Sequence, residues 1–122
     1  MKKYIYLLPA TGLLIILAFV PMKKGLVGNW KCAYGNNITG TAQFRSNGTY
    51  EATFDRSEWK IGGSFKENGN MVQITDTSCG SGYWAKYKMT WYTDDSAKIT
   101  MVEDSCKGRV ANADGAVFVR MK

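Results

Sequence analysis

The chain has 122 residues, with 16 Lys and Arg against 10 Asp and Glu, three Cys and no His. The lack of histidine excludes Ser-His-Asp and Cys-His catalytic pairs, His general bases and His zinc ligands. Four of the basic residues (Lys2, Lys3, Lys23 and Lys24) flank a single apolar run, so residues 25–122 carry twelve basic against ten acidic groups. That near-neutral balance, with Lys31, Arg45, Lys60, Lys86 and Lys98 scattered along it, is not a nucleic-acid footprint.

The N-terminal run reads as a targeting segment. Lys2 and Lys3 precede Tyr4 to Met22, an uncharged stretch of 19 residues interrupted by Pro9. It contains Leu8-Pro9-Ala10-Thr11-Gly12, which has the form of an LPxTG sorting signal. Such signals sit at the C-terminus, after the folded part, whereas here nearly the whole chain follows Gly12. The alternatives are a cleaved signal peptide and an uncleaved anchor, since a spanning helix needs about 20 apolar residues. No Cys ends the run, so a lipoprotein acceptor is missing. Lys2, Lys3 and the α-amine against Lys23 and Lys24 favour the N-terminus inside and the domain outside. Residues 1–24 are therefore expected to export the chain to the periplasm or cell surface, with the membrane contacted through that segment if it stays. Residues 25–122 form one domain with a modest core.

From Leu26 onward, apolar residues alternate at period two and turn signals recur every eight to twelve residues. Trp30, Cys32 and Tyr34 share a face, and Gly35 to Asn37 ends that strand. Ile38, Gly40, Ala42 and Phe44 follow, then the Ser46-Asn47-Gly48 turn, whose Asn and Gly tolerate positive φ. Tyr50, Ala52 and Phe54 make a third strand. Trp59, Ile61, Gly63 and Phe65 make a fourth, and Glu67 to Asn70 turns into Val72 and Ile74. After Gly80-Ser81-Gly82, Tyr83, Ala85, Tyr87, Met89 and Trp91 alternate. Thr93 to Ser96 leads to Ile99 and Met101. After Asn112 to Gly115, Ala116 to Met121 forms the last strand. No segment of the domain has helical period. Eight strands joined mainly by hairpins, with one apolar face throughout, predict an all-β, eight-stranded up-and-down antiparallel barrel, because closure removes both sheet edges.

Gly28-Asn29-Trp30 resembles the GxW signature that opens lipocalin first strands, and Arg120 resembles the arginine that packs across that tryptophan. "LVGNWKC", "FRSNGTY" and "EWKIGG" are similar to segments of bacterial lipocalin-like domains. The resemblance implies a lipocalin-like barrel whose Trp30 and Arg120 close one end, and a protein that acts by binding. The strands are shorter than in ligand-transporting lipocalins. A second resemblance is to small envelope barrels that inhibit C-type lysozymes. It rests on "WKCAYG" and on Ser81-Gly82 followed by Tyr83, with Ala85 where that pattern has Tyr.

The inward face carries Trp30, Tyr34, Phe44, Tyr50, Phe54, Trp59, Phe65, Tyr83, Tyr87, Trp91 and Phe118. These rings either fill the barrel or line a pocket for a lipid or other small hydrophobic ligand, with Tyr50, Phe54, Trp59, Tyr87 and Trp91 facing it. So many large rings on short strands favour filling. Trp84, Lys86 and Lys88 point outward and offer a contact for an envelope protein or headgroups. Glu103 and Asp104 are neighbours on a strand, so without a bulge they face opposite ways and cannot form an acid/base pair.

Export makes a disulfide expected among Cys32, Cys79 and Cys106. Cys79 and Cys106 approach one end of the barrel from either side of a strand, about 9–10 Å apart in regular sheet. The glycines after Cys79 let it fold over that strand, which points to Cys79–Cys106 with Cys32 a buried thiol; Cys32–Cys106 is the alternative. The absence of a CxxC pair argues against a metal site, and no cofactor is expected. Nothing activates Cys32 as a nucleophile. The expected function is binding of a small hydrophobic molecule or lipid by an exported domain that is not an enzyme. The alternative is a cell-envelope interaction module or inhibitor.

Overall fold

The computed structural model describes residues 25–80 and 82–122. The segment before Gly25, with its LPATG motif and its signal or anchor reading, lies outside them, as does Ser81. Eight strands run in chain order: β1 (Gly28–Ala33), β2 (Thr39–Phe44), β3 (Thr49–Phe54), β4 (Lys60–Asn68), β5 (Met71–Asp76), β6 (Ala85–Thr93), β7 (Ser96–Glu103) and β8 (Val117–Arg120). Each pairs antiparallel with the next, and β8 pairs back onto β1, so the sheet is a closed up-and-down barrel. The fold is the one that the alternation predicts. No described helix is long and apolar enough to cross a membrane.

Period-two burial explains the closure. Trp30 and Cys32 on β1, Ala42 and Phe44 on β2, Tyr50 and Ala52 on β3, and Phe118 on β8 all point into one core. The residues between them face out, as in β3, where Thr49, Glu51 and Thr53 alternate with buried neighbours. A one-residue slip would turn every one of these side chains to solvent, so the register is firmly set.

One segment departs from the all-strand expectation. Lys107–Ala113 is an α-helix, here α1, lying between β7 and β8 across one end of the barrel. Seven residues are too few to show a helical apolar period, and α1 buries only Arg109. Its ends are fixed by neighbours instead. Asp104 Oδ1 accepts from Cys106 N at 2.9 Å before its first turn, and Asp114 Oδ1 accepts from Met101 N at 2.8 Å after its last. Gly115, with φ +83, then redirects the chain into β8. Gly35 lies so close under Ala111 O that any Cβ there would overlap it, so the lid fits tightly over the 3-10 turn at Gly35–Asn37. Cys106, expected as the end of a strand, stands instead just before α1, because β7 stops at Glu103.

The other end is shut by Arg120. Its guanidinium carbon lies 4.2 Å from the Trp30 ring centroid. Nε donates to Asp95 Oδ1 at 3.0 Å, Nη1 to Val27 O at 2.9 Å, and Nη2 to Gly25 O at 2.8 Å and Asp94 O at 3.0 Å. One side chain thus ties the chain entry, the β6–β7 turn and the β1–β8 seam. Gly28 (φ +142) is required beside it, since a Cβ there would sit 2.6 Å from Arg120 Nη1. Trp30 Nε1 donates to Leu26 O at 2.8 Å, which holds the buried Leu26 as the floor of the interior. Charged hydrogen bonds and a desolvated cation–π contact together predict that Arg120→Ala lowers the unfolding free energy by about 2–4 kcal/mol. Urea denaturation reads this directly. Arg120→Lys should recover less than half, since an ammonium cannot reproduce the planar fork.

Candidate functional site

The inward rings do not fill the barrel. A cavity of about 280 Å³ runs from Leu26 and Phe44 at the closed end to α1 at the other. Its walls are Tyr34, Phe44, Tyr50, Phe54, Tyr87 and Phe118, together with Val72, Ile74 and Ile99. The space is left by small inward residues. Ala42, Ala52 and Ala116 stand opposite the rings, and a Cβ at Gly40 or Gly63 would run into a neighbouring strand's backbone. The cavity reaches solvent at the lid end, where exposed Trp59, Ser78, Cys79 and Gly108 line it.

Of the five residues expected to face this interior, Tyr50, Phe54 and Tyr87 do. Trp59 does not point inward from a strand: β4 begins after it, and it is 57 % exposed in the β3–β4 connection. Its ring stacks on Phe54 at 5.7 Å and 20°, which places it on the rim of the mouth. The alternation counted back from Ile61 misplaces it because the strand frays there into a turn, with Trp59 N bonded to Ser57 Oγ at 3.0 Å. Trp91 is half-buried against Trp30 at 6.0 Å and lies at the closed end, away from the cavity lining. On the outside, Lys86 and Lys88 are exposed and Lys86 pairs with Glu103 at 3.8 Å. Trp84 is half-buried, with Lys66 Nζ 4.3 Å above its ring.

The lid end holds a group of charges that the pattern reading does not single out. Arg109, on α1, has a side chain only 5 % exposed and sits between Asp76 and Asp104, at 1 % and 0 %. Arg109 Nε and Nη2 donate to the two oxygens of Asp104 at 2.7 and 2.9 Å, and Nη1 donates to Asp76 Oδ1 at 3.1 Å. The Tyr50 hydroxyl donates to Asp76 Oδ2, and the Tyr87 hydroxyl to Asp104 Oδ2, each at 2.6 Å. Backbone N–H groups of Ser78 and Cys106 complete the two carboxylates at 2.8 and 2.9 Å. Burial raises both Asp pKa values, but hydrogen bonds and the Arg109 charge outweigh it and hold them below the usual range. The hydrogen bonds to Asp104 hold Arg109 firmly protonated against its own burial. Burial, then the bonds to carboxylates, keep both tyrosines as neutral phenols.

A bulge makes this arrangement. Lys86 faces Glu103 while Tyr87 faces Met101, so one residue of β7 is skipped. The parity of the strand flips there. Glu103 turns out to Lys86 and Asp104 turns in to Arg109. Asp76 did leave a sequence signal: it continues the inward phase of Val72 and Ile74. Arg109 left none, because its short helix has no period to read.

Cys79 and Cys106 are joined, with their Cα atoms 5.7 Å apart, and both line the cavity. The bond ties the start of α1 to the β5–β6 loop, and it fits an oxidising, exported compartment. Cys32 is free and buried, and burial pushes its thiol up to about 12. No cluster of potential metal ligands occurs among the described residues.

Two outcomes are expected. Both carboxyls have folded pKa values below their unfolded value near 4, so their stabilisation is fully present above that value and is lost as pH falls from it through the lower folded values. Urea midpoints should therefore drop steeply between about pH 4 and 2, and Asp76→Asn should start lower and fall less. A wild-type midpoint unchanged over that range would contradict the assignment. The Cys79→Ser, Cys106→Ser double variant should lose about 3–4 kcal/mol, the loop-closure value for a separation of 27 residues.

No protein-family model matches the sequence, and no curated protein matches it. Among solved structures, the fold is similar to that of Tp0751 (pallilysin) of Treponema pallidum. The TM-score is 0.52, with 13 % identity over 93 % of this chain and 96 % of that one. At that identity the likeness bears on the barrel fold alone.

Proposed function

We propose that this is an exported, lipocalin-like binding domain that holds a small, mainly apolar molecule inside its barrel and carries out no chemistry on it. The observation that carries this reading is the 280 Å³ apolar cavity beneath a lid. Leaving apolar walls uncovered is costly, because those side chains forgo the burial that a filled core would give them. The volume lies just below the roughly 300–1,000 Å³ typical of ligand pockets, so the occupant is smaller than a drug-sized compound. Trp59 at the rim supplies an aromatic surface to receive it. The GxW tryptophan and its covering arginine support the lipocalin-like assignment. The protonated, buried Cys32 and the absence of histidine support binding without catalysis.

The disulfide supports an extracytoplasmic site, periplasmic or at the cell surface. Gly25 lies at the closed end, bonded to Arg120, so the chain enters the barrel opposite the lidded mouth. The alternative of a protein-interaction module working through Trp84, Lys86 and Lys88 has less behind it, since Lys66 covers Trp84 and Glu103 engages Lys86.

Native mass spectrometry of the protein purified from its own host tests the reading. The expected result is a small adduct that is lost on denaturation. The Ala52→Phe variant, which fills the cavity from β3, should fold with stability within about 2 kcal/mol of wild type and carry no adduct. An adduct-free wild type whose melting temperature responds to no small apolar compound would overturn the reading.

A further inference from the structure

We infer that the cavity selects for organic cations, meaning small hydrophobic amines or ammonium compounds, and rejects the carboxylates of fatty acids; this rests on the proposed binding function. Aspartates and one arginine do not balance at the lid end. Asp76, Asp104 and Arg109 together carry one net negative charge, all three side chains at 5 % exposure or less. Of these, Asp76 and Arg109 line the cavity. Arg109 has three of its five N–H donors on carboxylate oxygens, through Nε, Nη1 and Nη2, and its charge is already matched twice over. A carboxylate ligand would compete with two ionised aspartates for that one guanidinium while losing its own hydration.

A cation meets the opposite conditions. The tyrosine hydroxyls spend their protons on Asp76 and Asp104, so what Tyr50 and Tyr87 turn to a guest is oxygen lone pairs. The walls are rich in aromatic rings: Phe54 and Trp59 stack at the mouth, and Tyr34 lies 5.0 Å from Phe54. Rings around a site with net negative charge stabilise a desolvated ammonium group by cation–π attraction and by direct Coulomb interaction. The apolar depth toward Phe44 and Leu26 takes the tail. The other charged groups facing the lid end do not reverse the sign. Asp114 and Asp55 are matched by Lys107 and Arg56, and all four are exposed to solvent, so they leave the buried excess of one negative charge as it stands.

Calorimetry with three ligands of equal tail length decides the matter: octylamine, octan-1-ol and octanoate at pH 7. The expected order is amine, then alcohol, then acid, with the amine about tenfold or more tighter than the alcohol. Asp104→Asn removes one charge from the cluster at a residue that does not itself line the cavity, and should bring the amine and alcohol within about threefold of each other. If that variant does not fold, the wild-type order alone decides. Equal affinities, or tightest binding of octanoate, would overturn the selectivity while leaving the binding function standing. Failure of all three to bind, with no adduct from the host, would overturn the binding function and the selectivity with it.

Discussion

Arg109 is where the lid, the end of β5 and the end of β7 meet, and the upper half of the molecule depends on its being paired. A guanidinium this deeply buried is tolerable only with its charge matched and its donors used. Asp104 supplies a two-point fork from one side and Asp76 a single contact from the other. Meeting that demand places much else. The β7 bulge exists where Asp104 must turn inward. Tyr50 and Tyr87 stand with their hydroxyls on the carboxylates and their rings against the cavity. The Cys79–Cys106 bond then pins the start of α1 to the β5–β6 loop, so the lid is held by one covalent and two ionic ties. A seven-residue helix with a single buried residue would not hold its position by packing alone.

The two ends of the barrel are each organised by an arginine, to different effect. Arg120 spends its donors on backbone carbonyls and Asp95 while lying across Trp30, and the end it serves is packed shut by Leu26, Trp91 and Phe118. Arg109 spends its donors on two aspartates and leaves open space below them. Closure at one end and a charged lid at the other turn a barrel of short strands into a vessel with one mouth. Small residues on the inner faces of β2 and β3 keep that vessel from filling.

Much of the fold was legible because period-two alternation and turn chemistry are local properties. Ser46-Asn47-Gly48 ends β2 and starts β3, and the inward phases of β1, β2, β3 and β6 read directly from the chain. Gly28-Asn29-Trp30 with Arg120 located the sealed end. The candidate site was less legible, for physical reasons. Ring counting favoured a filled interior, but volume depends on which alanines face which rings across the barrel, and that is set by register. Trp59 has the right parity for the interior but falls just outside β4. The bulge that admits Asp104 is a two-strand event that neither strand announces. Arg109 sits in a helix too short for any periodicity, and its importance comes from partners 5 and 33 residues away.

The binding function depends most on an apolar cavity kept open by its charged lid. Crystals of the oxidised protein under xenon pressure measure that directly, because xenon enters dry apolar cavities and is seen without ambiguity. Such a cavity should hold ordered xenon between Phe44 and Ile74, with the Arg109 pairs to Asp76 and Asp104 unchanged and with no site in Ala52→Phe. A barrel with no xenon site, its interior closed by Tyr50, Phe54 or Tyr87 side chains, would contradict it.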